Sequence, residues 1–181
     1  ITIFGGTGDL THRKLIPALY NMSVEELLPD ELMIVGVGRR PLSTQEYRDS
    51  LLESVTKHSR HPIRTDIWER FKERIHYFRM NLSESEGFSS LKTWLESLDE
   101  KAGTQGNRLF YLSVAPSLFE PIVLHLHRHG MADNLGAWQR VIIEKPFGRD
   151  LRSAAFLNHV IESVFPPQNM FRIDHIWARK C

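Results

Sequence analysis

A glycine-rich stretch near the start of the chain has the composition of a phosphate-binding turn. The apolar run ITIF (1–4) leads directly into GGTGDL (5–10), and a helix-like stretch follows. Glycines at a strand-to-helix turn permit tight backbone geometry and let a pyrophosphate approach the helix N-terminus. The G-x-G-x-x-G pattern is incomplete, because Thr7 or Thr11 stands where a glycine is expected. The stretch therefore predicts either a dinucleotide site or a tight turn without a ligand.

Two adjacent arginines follow the second apolar run, LMIVGVG (32–38). An NAD site usually places Asp or Glu at this point, to bind the ribose 2′-hydroxyl. Arg39 and Arg40 are found there instead, and guanidinium groups bind phosphate through paired hydrogen bonds. The pair favours the 2′-phosphate of NADP, and the alternative is two solvated surface arginines.

A lysine lies at the end of a later apolar run, RVIIE (140–144), and is followed by Pro146. Ligands of parallel sheets bind beyond the carboxyl ends of the strands, which is where Lys145 falls. Next to a nicotinamide, this lysine can hydrogen-bond a substrate hydroxyl. Glu144 either orients that site or faces solvent, and Lys145 itself also fits an exposed strand end.

An Asp-His pair follows the last apolar run, MFRI (170–173). A carboxylate can orient an imidazole and favour its protonated form. Adjacent strand residues point to opposite faces, so we expect Asp174 and His175 to have separate roles rather than to bond each other. A solvated strand end is the alternative.

Three histidines in LHLHRHG (124–130) have a spacing that invites a metal interpretation, since His125 and His129 would share one helix face. Leu126 stands where a zinc hydrolase has its catalytic glutamate, and no third ligand is indicated. We therefore predict a solvated last helical turn and no metal.

The elements that must position these residues are short apolar runs alternating with amphipathic stretches. Runs that are apolar throughout are typical of parallel strands buried on both faces. The predicted strands are 1–4, 32–38, 75–80, 108–114, 140–144 and 170–173. This order predicts an α/β fold: a Rossmann-like, doubly wound, mainly parallel sheet with helices on both faces.

Helix start signals support the same fold. Ser43-x-x-Glu46 and Ser83-x-x-Glu86 have the form of capping boxes, and Asp150 precedes another helix-like stretch as a predicted N-cap.

Composition narrows the class of protein. A length of 181 residues fits one domain, and a net charge of +1 gives no reason to expect nucleic acid or a membrane as partner. One cysteine makes no internal disulfide, and neither a signal peptide nor a membrane-length apolar run is visible. We expect a cytoplasmic protein whose natural start is missing.

With these residues assembled, the chain resembles the N-terminal, coenzyme-binding part of the glucose-6-phosphate dehydrogenase family. The blocks that carry the resemblance, in the family's order, are IFGGTGDLTHRKLIPALY, IVGVGRR, NRLFYLSVAPSLFE, IIEKPFGRDL and FRIDH. The resemblance implies NADP-dependent oxidation of glucose 6-phosphate at C1 to 6-phosphoglucono-lactone, in the oxidative pentose phosphate pathway. It also implies a homo-oligomer for the full-length protein.

The resemblance assigns roles to individual residues. The implied pyrophosphate ligands are Gly5, Thr7, Gly8, Asp9 and Leu10. In the same cofactor site, Arg39 is implied to contact the 2′-phosphate, and the cofactor cleft is implied to be lined by Tyr111, Ala115 and Pro116. At the substrate, Lys145 is implied to touch the sugar and the nicotinamide, Asp174 to orient a catalytic histidine, and His175 to bind the sugar phosphate. Ala115 stands where the family usually has proline, and Arg179 stands where it has a substrate-binding lysine.

The resemblance ends at His175, so we expect a dinucleotide-binding domain over 1–175, a non-matching tail over 176–181 and no C-terminal substrate domain. Deleting one nucleotide from a coding string for the family's next residues yields the tail, which we interpret as a frameshift product. We expect this chain to be limited to cofactor binding. The alternatives are a sugar oxidoreductase of the glucose-fructose oxidoreductase type and a catalytically inert nucleotide-binding fragment.

Overall fold

The computed structural model describes residues 1–133, 136–144 and 150–173. Its centre is one sheet of parallel strands in the order β3-β2-β1-β4-β5-β6. The strands are β1 (Thr2–Phe4), β2 (Ile34–Gly38), β3 (Ile75–Arg79), β4 (Arg108–Leu112), β5 (Gln139–Glu144) and β6 (Met170–Ile173). The predicted doubly wound α/β fold is confirmed. The strand order reverses between β1 and β4, and a crevice at such a point is where these sheets bind ligands.

Helices cover both faces of the sheet. They are α1 (Ile16–Val24), α2 (Thr44–His58), α3 (Thr65–Glu73), α4 (Ser85–Ala102), α5 (Phe119–Arg128) and α6 (Leu151–Val164). A π-helical turn, Thr11–Leu15, precedes α1, and 3₁₀ turns occupy Pro116–Leu118 and Pro167–Asn169. No helix among the described residues is long and apolar enough to cross a membrane.

Strand alternation divides the core into two clusters. Ile3 packs with side chains of α1, α2 and α3, whereas its neighbour Phe4 packs with side chains of α4, α5 and α6. Because neighbouring strand residues point to opposite faces, a sheet buried on both sides needs apolar residues at nearly every position. This requirement explains why the strand segments are apolar throughout.

Two of the three predicted helix caps are present. Ser43 Oγ accepts from Glu46 N at 3.1 Å while the Glu46 carboxylate accepts from Ser43 N at 2.7 Å, and Asp150 caps α6. The predicted box at Ser83 is wrong, because α4 begins at Ser85 without a side-chain cap. Asn81 instead bonds both Ser83 N and the Glu84 side chain, so a local turn replaces the box.

Candidate functional site

The glycine turn between β1 and the first helix requires glycine at two positions. Gly5 has φ +87°, and a Cβ placed there would lie 2.0 Å from the Ser113 carbonyl oxygen. A Cβ on Gly6 would lie 2.6 Å from the Cα of Gly36. Both distances are far below van der Waals contact and involve backbone, which cannot move aside. The turn therefore packs bare backbone against β2 and the residue that follows β4, which is the tight strand-to-helix geometry that a dinucleotide-binding turn needs.

Hydrogen bonds hold this turn in place. Gly5 N and Gly6 N both donate to the Val37 carbonyl, at 3.0 and 2.9 Å, and Gly8 N donates to Gly5 O at 2.9 Å. The buried Thr11 hydroxyl also donates to Gly5 O, at 3.0 Å. Thr11, which stands where the pattern expects a glycine, thus stabilises the turn by a hydrogen bond from the helix that follows it.

Tyr47, which the sequence analysis missed, also stabilises the glycine turn. Its hydroxyl donates to Gly6 O at 2.7 Å, and the side chain is fully buried. Burial, together with the neighbouring Tyr77, raises the pKa of Tyr47, so the phenol keeps its proton and stays a donor. A Cβ on Gly36 would lie 2.2 Å from this hydroxyl, so the glycine inside β2 makes room for the tyrosine. That isolated glycine is the sequence signal that points to such a close approach.

The remaining predicted pyrophosphate ligands lie at the start of the helix. The first helical bond runs from His12 N to Gly8 O at 3.2 Å, so Gly8, Asp9 and Leu10 form its first turn. Asp9 is exposed and lies 3.7 Å from Arg13. Thr7 lies beside the end of β2, its Oγ1 3.4 Å from where a Cβ of Gly38 would be. The structure therefore brings the predicted residues together around one helix N-terminus, where anions are stabilised.

Arg39 and Arg40 follow β2 directly, beside the glycine turn. Both side chains are exposed, and neither guanidinium forms a hydrogen bond or ion pair with any residue that the structure describes. The Arg40 backbone is fixed, because its carbonyl accepts from the Tyr77 hydroxyl and from Leu42 N, both at 2.9 Å. Burial and the nearby Arg40 charge lower the pKa of His12. Positive charge is thus held on a rigid loop and left available to an anion.

Tyr111 lies on the other side of the point where the strand order reverses. Its hydroxyl donates to the Glu144 carboxylate, so a hydrogen bond joins the carboxyl ends of β4 and β5. Burial and the Glu144 carboxylate raise the pKa of Tyr111, which keeps the phenol protonated. Tyr111 is itself buried, with about 7% of its surface exposed, so little of its side chain is available to contact a ligand.

Ala115 and Pro116 begin the turn that follows β4. Ala115 is exposed and has φ −59°, within the range to which a proline ring restricts φ, and ψ 143°, the extended value favoured before Pro116. The backbone at this position is therefore compatible with the proline that the family usually has there.

Three predicted site residues, Lys145, Asp174 and His175, lie outside the described residues, as does Pro146, so their roles stay predictions. The strands that lead to them are described, and β5 and β6 pair with Glu144 opposite Ile173.

The histidine cluster differs in part from the prediction of a solvated turn. The His125 ring stacks on Phe88 with centroids 4.8 Å apart, and His129 Nε2 lies 3.0 Å from Ser85 Oγ, whereas His127 is exposed. These contacts fasten α5 to α4. Within the described ranges, no group of three His, Cys, Asp or Glu side chains has a geometry that could hold a metal ion.

Comparison with known proteins decides the family. Residues 2–181 match the family model described as "Glucose-6-phosphate dehydrogenase, NAD binding domain". The chain belongs to the glucose-6-phosphate dehydrogenase family. Because the match is to the coenzyme-binding domain of that family, a nicotinamide nucleotide is its cofactor.

Individual relatives agree. Glucose-6-phosphate 1-dehydrogenase of Chlamydia muridarum is 46% identical over 186 residues, which cover 99% of this chain and 36% of the relative. Glucose-6-phosphate 1-dehydrogenase 2 of Mycobacterium tuberculosis is 41% identical over 181 residues, covering 99% and 35%. The chain thus spans about a third of the length of these relatives.

Solved structures give the same family. Glucose-6-phosphate dehydrogenase in complex with its substrate glucose-6-phosphate superimposes with a TM-score of 0.82 and 33% identity, over 96% of this chain and 36% of that one. The Mycobacterium avium enzyme superimposes with a TM-score of 0.81 and 30% identity, with the same coverage.

Proposed function

We propose that this chain is the NADP-binding domain of a glucose-6-phosphate dehydrogenase, which oxidises glucose 6-phosphate at C1 to 6-phosphoglucono-lactone. The observation that carries the NADP preference is the pair Arg39 and Arg40 at the end of β2. NAD sites place a carboxylate there, whereas this chain presents two cations that pair with no described residue.

The described residues fit a dinucleotide. Gly5 and Gly6 leave no space for a Cβ on the side that faces Ser113 and Gly36, so the turn forms a compact backbone surface against β2 and the end of β4. Thr7, Gly8 and the helix N-terminus lie next to that surface, where a pyrophosphate would be bound. Arg39 and Arg40 follow β2, the strand that neighbours β1, where this fold places the groups that contact the adenosine ribose.

The bound nicotinamide supplies the acceptor for the hydride that leaves C1 of the sugar. We assign Lys145 to hold the sugar against that ring, His175 to bind the sugar phosphate, and Asp174 to orient the base that takes the hydroxyl proton. Tyr111 and Glu144 brace the strand that leads to Lys145. These roles rest on the family's motif and on the pairing of β5 with β6.

Titration calorimetry with NADP and NAD tests the proposal. Arg39→Ala should weaken NADP about 10- to 100-fold, since a charge-assisted hydrogen bond contributes about 1.5–3 kcal/mol. NAD affinity should change less than about twofold because NAD lacks the 2′-phosphate. Arg128→Ala is a matched control, since Arg128 is an exposed arginine on α5, on the opposite face of the sheet. Equal losses for NADP and NAD, or a chain that prefers NAD, would refute the NADP assignment.

A further inference from the structure

A third arginine, Arg79, lies at the same carboxyl edge of the sheet as Arg39 and Arg40. No sequence motif identified it as a candidate site residue. It ends β3, and in the sheet register it is the direct partner of Gly38, the last residue of β2. The final ladder bond, from Met80 N to Gly38 O at 2.8 Å, fixes this register. Neighbouring strands lie about 4.8 Å apart. Arg79 and Arg39, which directly follows Gly38, therefore lie at neighbouring backbone positions on the same edge of the sheet.

Arg79 also points to the same face of the sheet as the Arg40 loop. Side chains alternate along a strand, so Arg79 shares a face with Tyr77, whose hydroxyl donates to the Arg40 carbonyl. Burial raises the pKa of Tyr77, while the hydrogen bond to Arg40 and the positive charges of Arg40 and Arg79 oppose that rise. Both cations are thus close enough to act on one phenol group.

Nothing in the described part of the chain neutralises this cluster. Arg79 is exposed and forms no hydrogen bond or ion pair with a described residue. The carboxylates of the adjoining segments are engaged elsewhere, since Glu46 closes the α2 capping box and Glu84 bonds Asn81. Several arginines away from this edge have partners, among them Arg48, which bonds Glu73 at 3.2 Å. Exposed Arg60 and Arg128, by contrast, stand singly and form no such cluster among the described residues. Uncompensated like charges repel one another, and an anion bound between them removes that repulsion.

We propose that Arg79 is a further specificity-determining residue, which binds the 2′-phosphate of NADP from β3 while Arg39 and Arg40 bind it from β2. The inference rests on the proposed NADP function and extends it to a second strand. Two guanidinium groups arriving from different strands enclose a dianionic phosphate on two sides. With NAD, a hydroxyl replaces that phosphate and leaves the repulsion between the arginines in place, so Arg79 discriminates between the cofactors.

Binding of 2′,5′-ADP, NADP and NAD to the 181-residue chain tests this role. Arg79→Ala should weaken NADP and 2′,5′-ADP at least about 10-fold and leave NAD within about twofold. Arg79→Lys should fall between wild type and alanine, because lysine keeps the charge but not the planar fork. Arg128→Ala, which removes the same net charge at a distance, should change none of the three affinities. Unchanged far-ultraviolet circular dichroism and thermal midpoint show that each variant is folded.

Each contrary outcome has a distinct meaning. If Arg79→Ala weakens NADP and NAD equally, the side chain contacts the part that the cofactors share, and the specificity role is overturned. If Arg79→Ala binds NADP like wild type while Arg39→Ala does not, the inference fails and the proposed function stands. If wild type binds 2′,5′-ADP no better than 5′-AMP, which lacks only the 2′-phosphate, the proposed NADP preference fails, and the inference fails with it.

Discussion

Replacing Tyr47 with phenylalanine removes a single oxygen from the core and leaves the Gly6 carbonyl without the hydrogen bond that fastens the turn. The bond is 2.7 Å long, and Tyr47 is fully buried, so water does not replace the lost donor. Leaving a buried carbonyl unsatisfied costs about 1–3 kcal/mol, and we take about 2 kcal/mol. For a chain of this length each kcal/mol lowers the melting temperature by about 2–4 °C, so we expect a fall of about 4–8 °C.

The same substitution should also weaken cofactor binding. Gly6 belongs to the turn proposed to hold the pyrophosphate, which NAD and NADP share. Tyr47→Phe should therefore lower both affinities by the same factor, in contrast to the selective effect expected at Arg39. Thermal unfolding and calorimetric titration of one preparation measure the two effects.

Tyr20→Phe provides a matched control. Tyr20 is equally buried; its hydroxyl accepts from Arg64 N at 2.9 Å and donates to Pro62 O at 3.4 Å, so its loss removes the bonds to two backbone groups at the start of α3. We expect Tyr20→Phe to lose a similar amount of stability and to keep its cofactor affinity. A Tyr47→Phe protein that unfolds within about 0.5 kcal/mol of wild type, or that binds both cofactors unchanged, would refute the reasoning.

Two further outcomes follow from the same region. Gly5→Ala should lower the free energy of unfolding by more than the ~1–3 kcal/mol that a positive φ alone costs, because the new Cβ would meet the Ser113 carbonyl. A urea titration that gives wild-type stability for this variant would contradict the expectation. His12 has a pKa lowered by burial and then by Arg40, so the unfolded chain binds its proton more tightly than the folded chain. Its contribution to stability is complete above a pH of about 6.5 and declines as the pH falls below that value. The decline should be smaller in His12→Gln, and identical urea midpoints at pH 7.5 and 5.5 for wild type would contradict the shift.

The strands and the site's glycines were predictable because their causes are local. A strand buried on both faces must be apolar throughout, and a turn at φ +87° must be glycine, so both leave a signal in a few consecutive residues. The Ser83 box failed for a local reason too, since Asn81 offered a competing turn.

The residues that the sequence analysis missed act across long separations. Tyr47 bonds a carbonyl 41 positions away, and Tyr77 bonds one 37 positions away. Hydrophobic periodicity identifies such tyrosines as core and carries no information about which carbonyl they reach. Arg79 became a candidate only once the register of β2 and β3 placed it beside Gly38. Side-chain partners between elements depend on that register, which the composition of each strand does not encode.

The shared acceptor at Val37 has a consequence for how a ligand with two anionic groups is held. Gly5 N and Gly6 N both bond the Val37 carbonyl, and only Gly38 separates that residue from Arg39. The glycine turn proposed to bind the pyrophosphate and the arginines proposed to bind the 2′-phosphate are thus connected through the backbone of one strand. A ligand with two anionic groups binds to two sites whose relative position is already fixed. Once the first group is bound, binding the second therefore costs little additional conformational entropy.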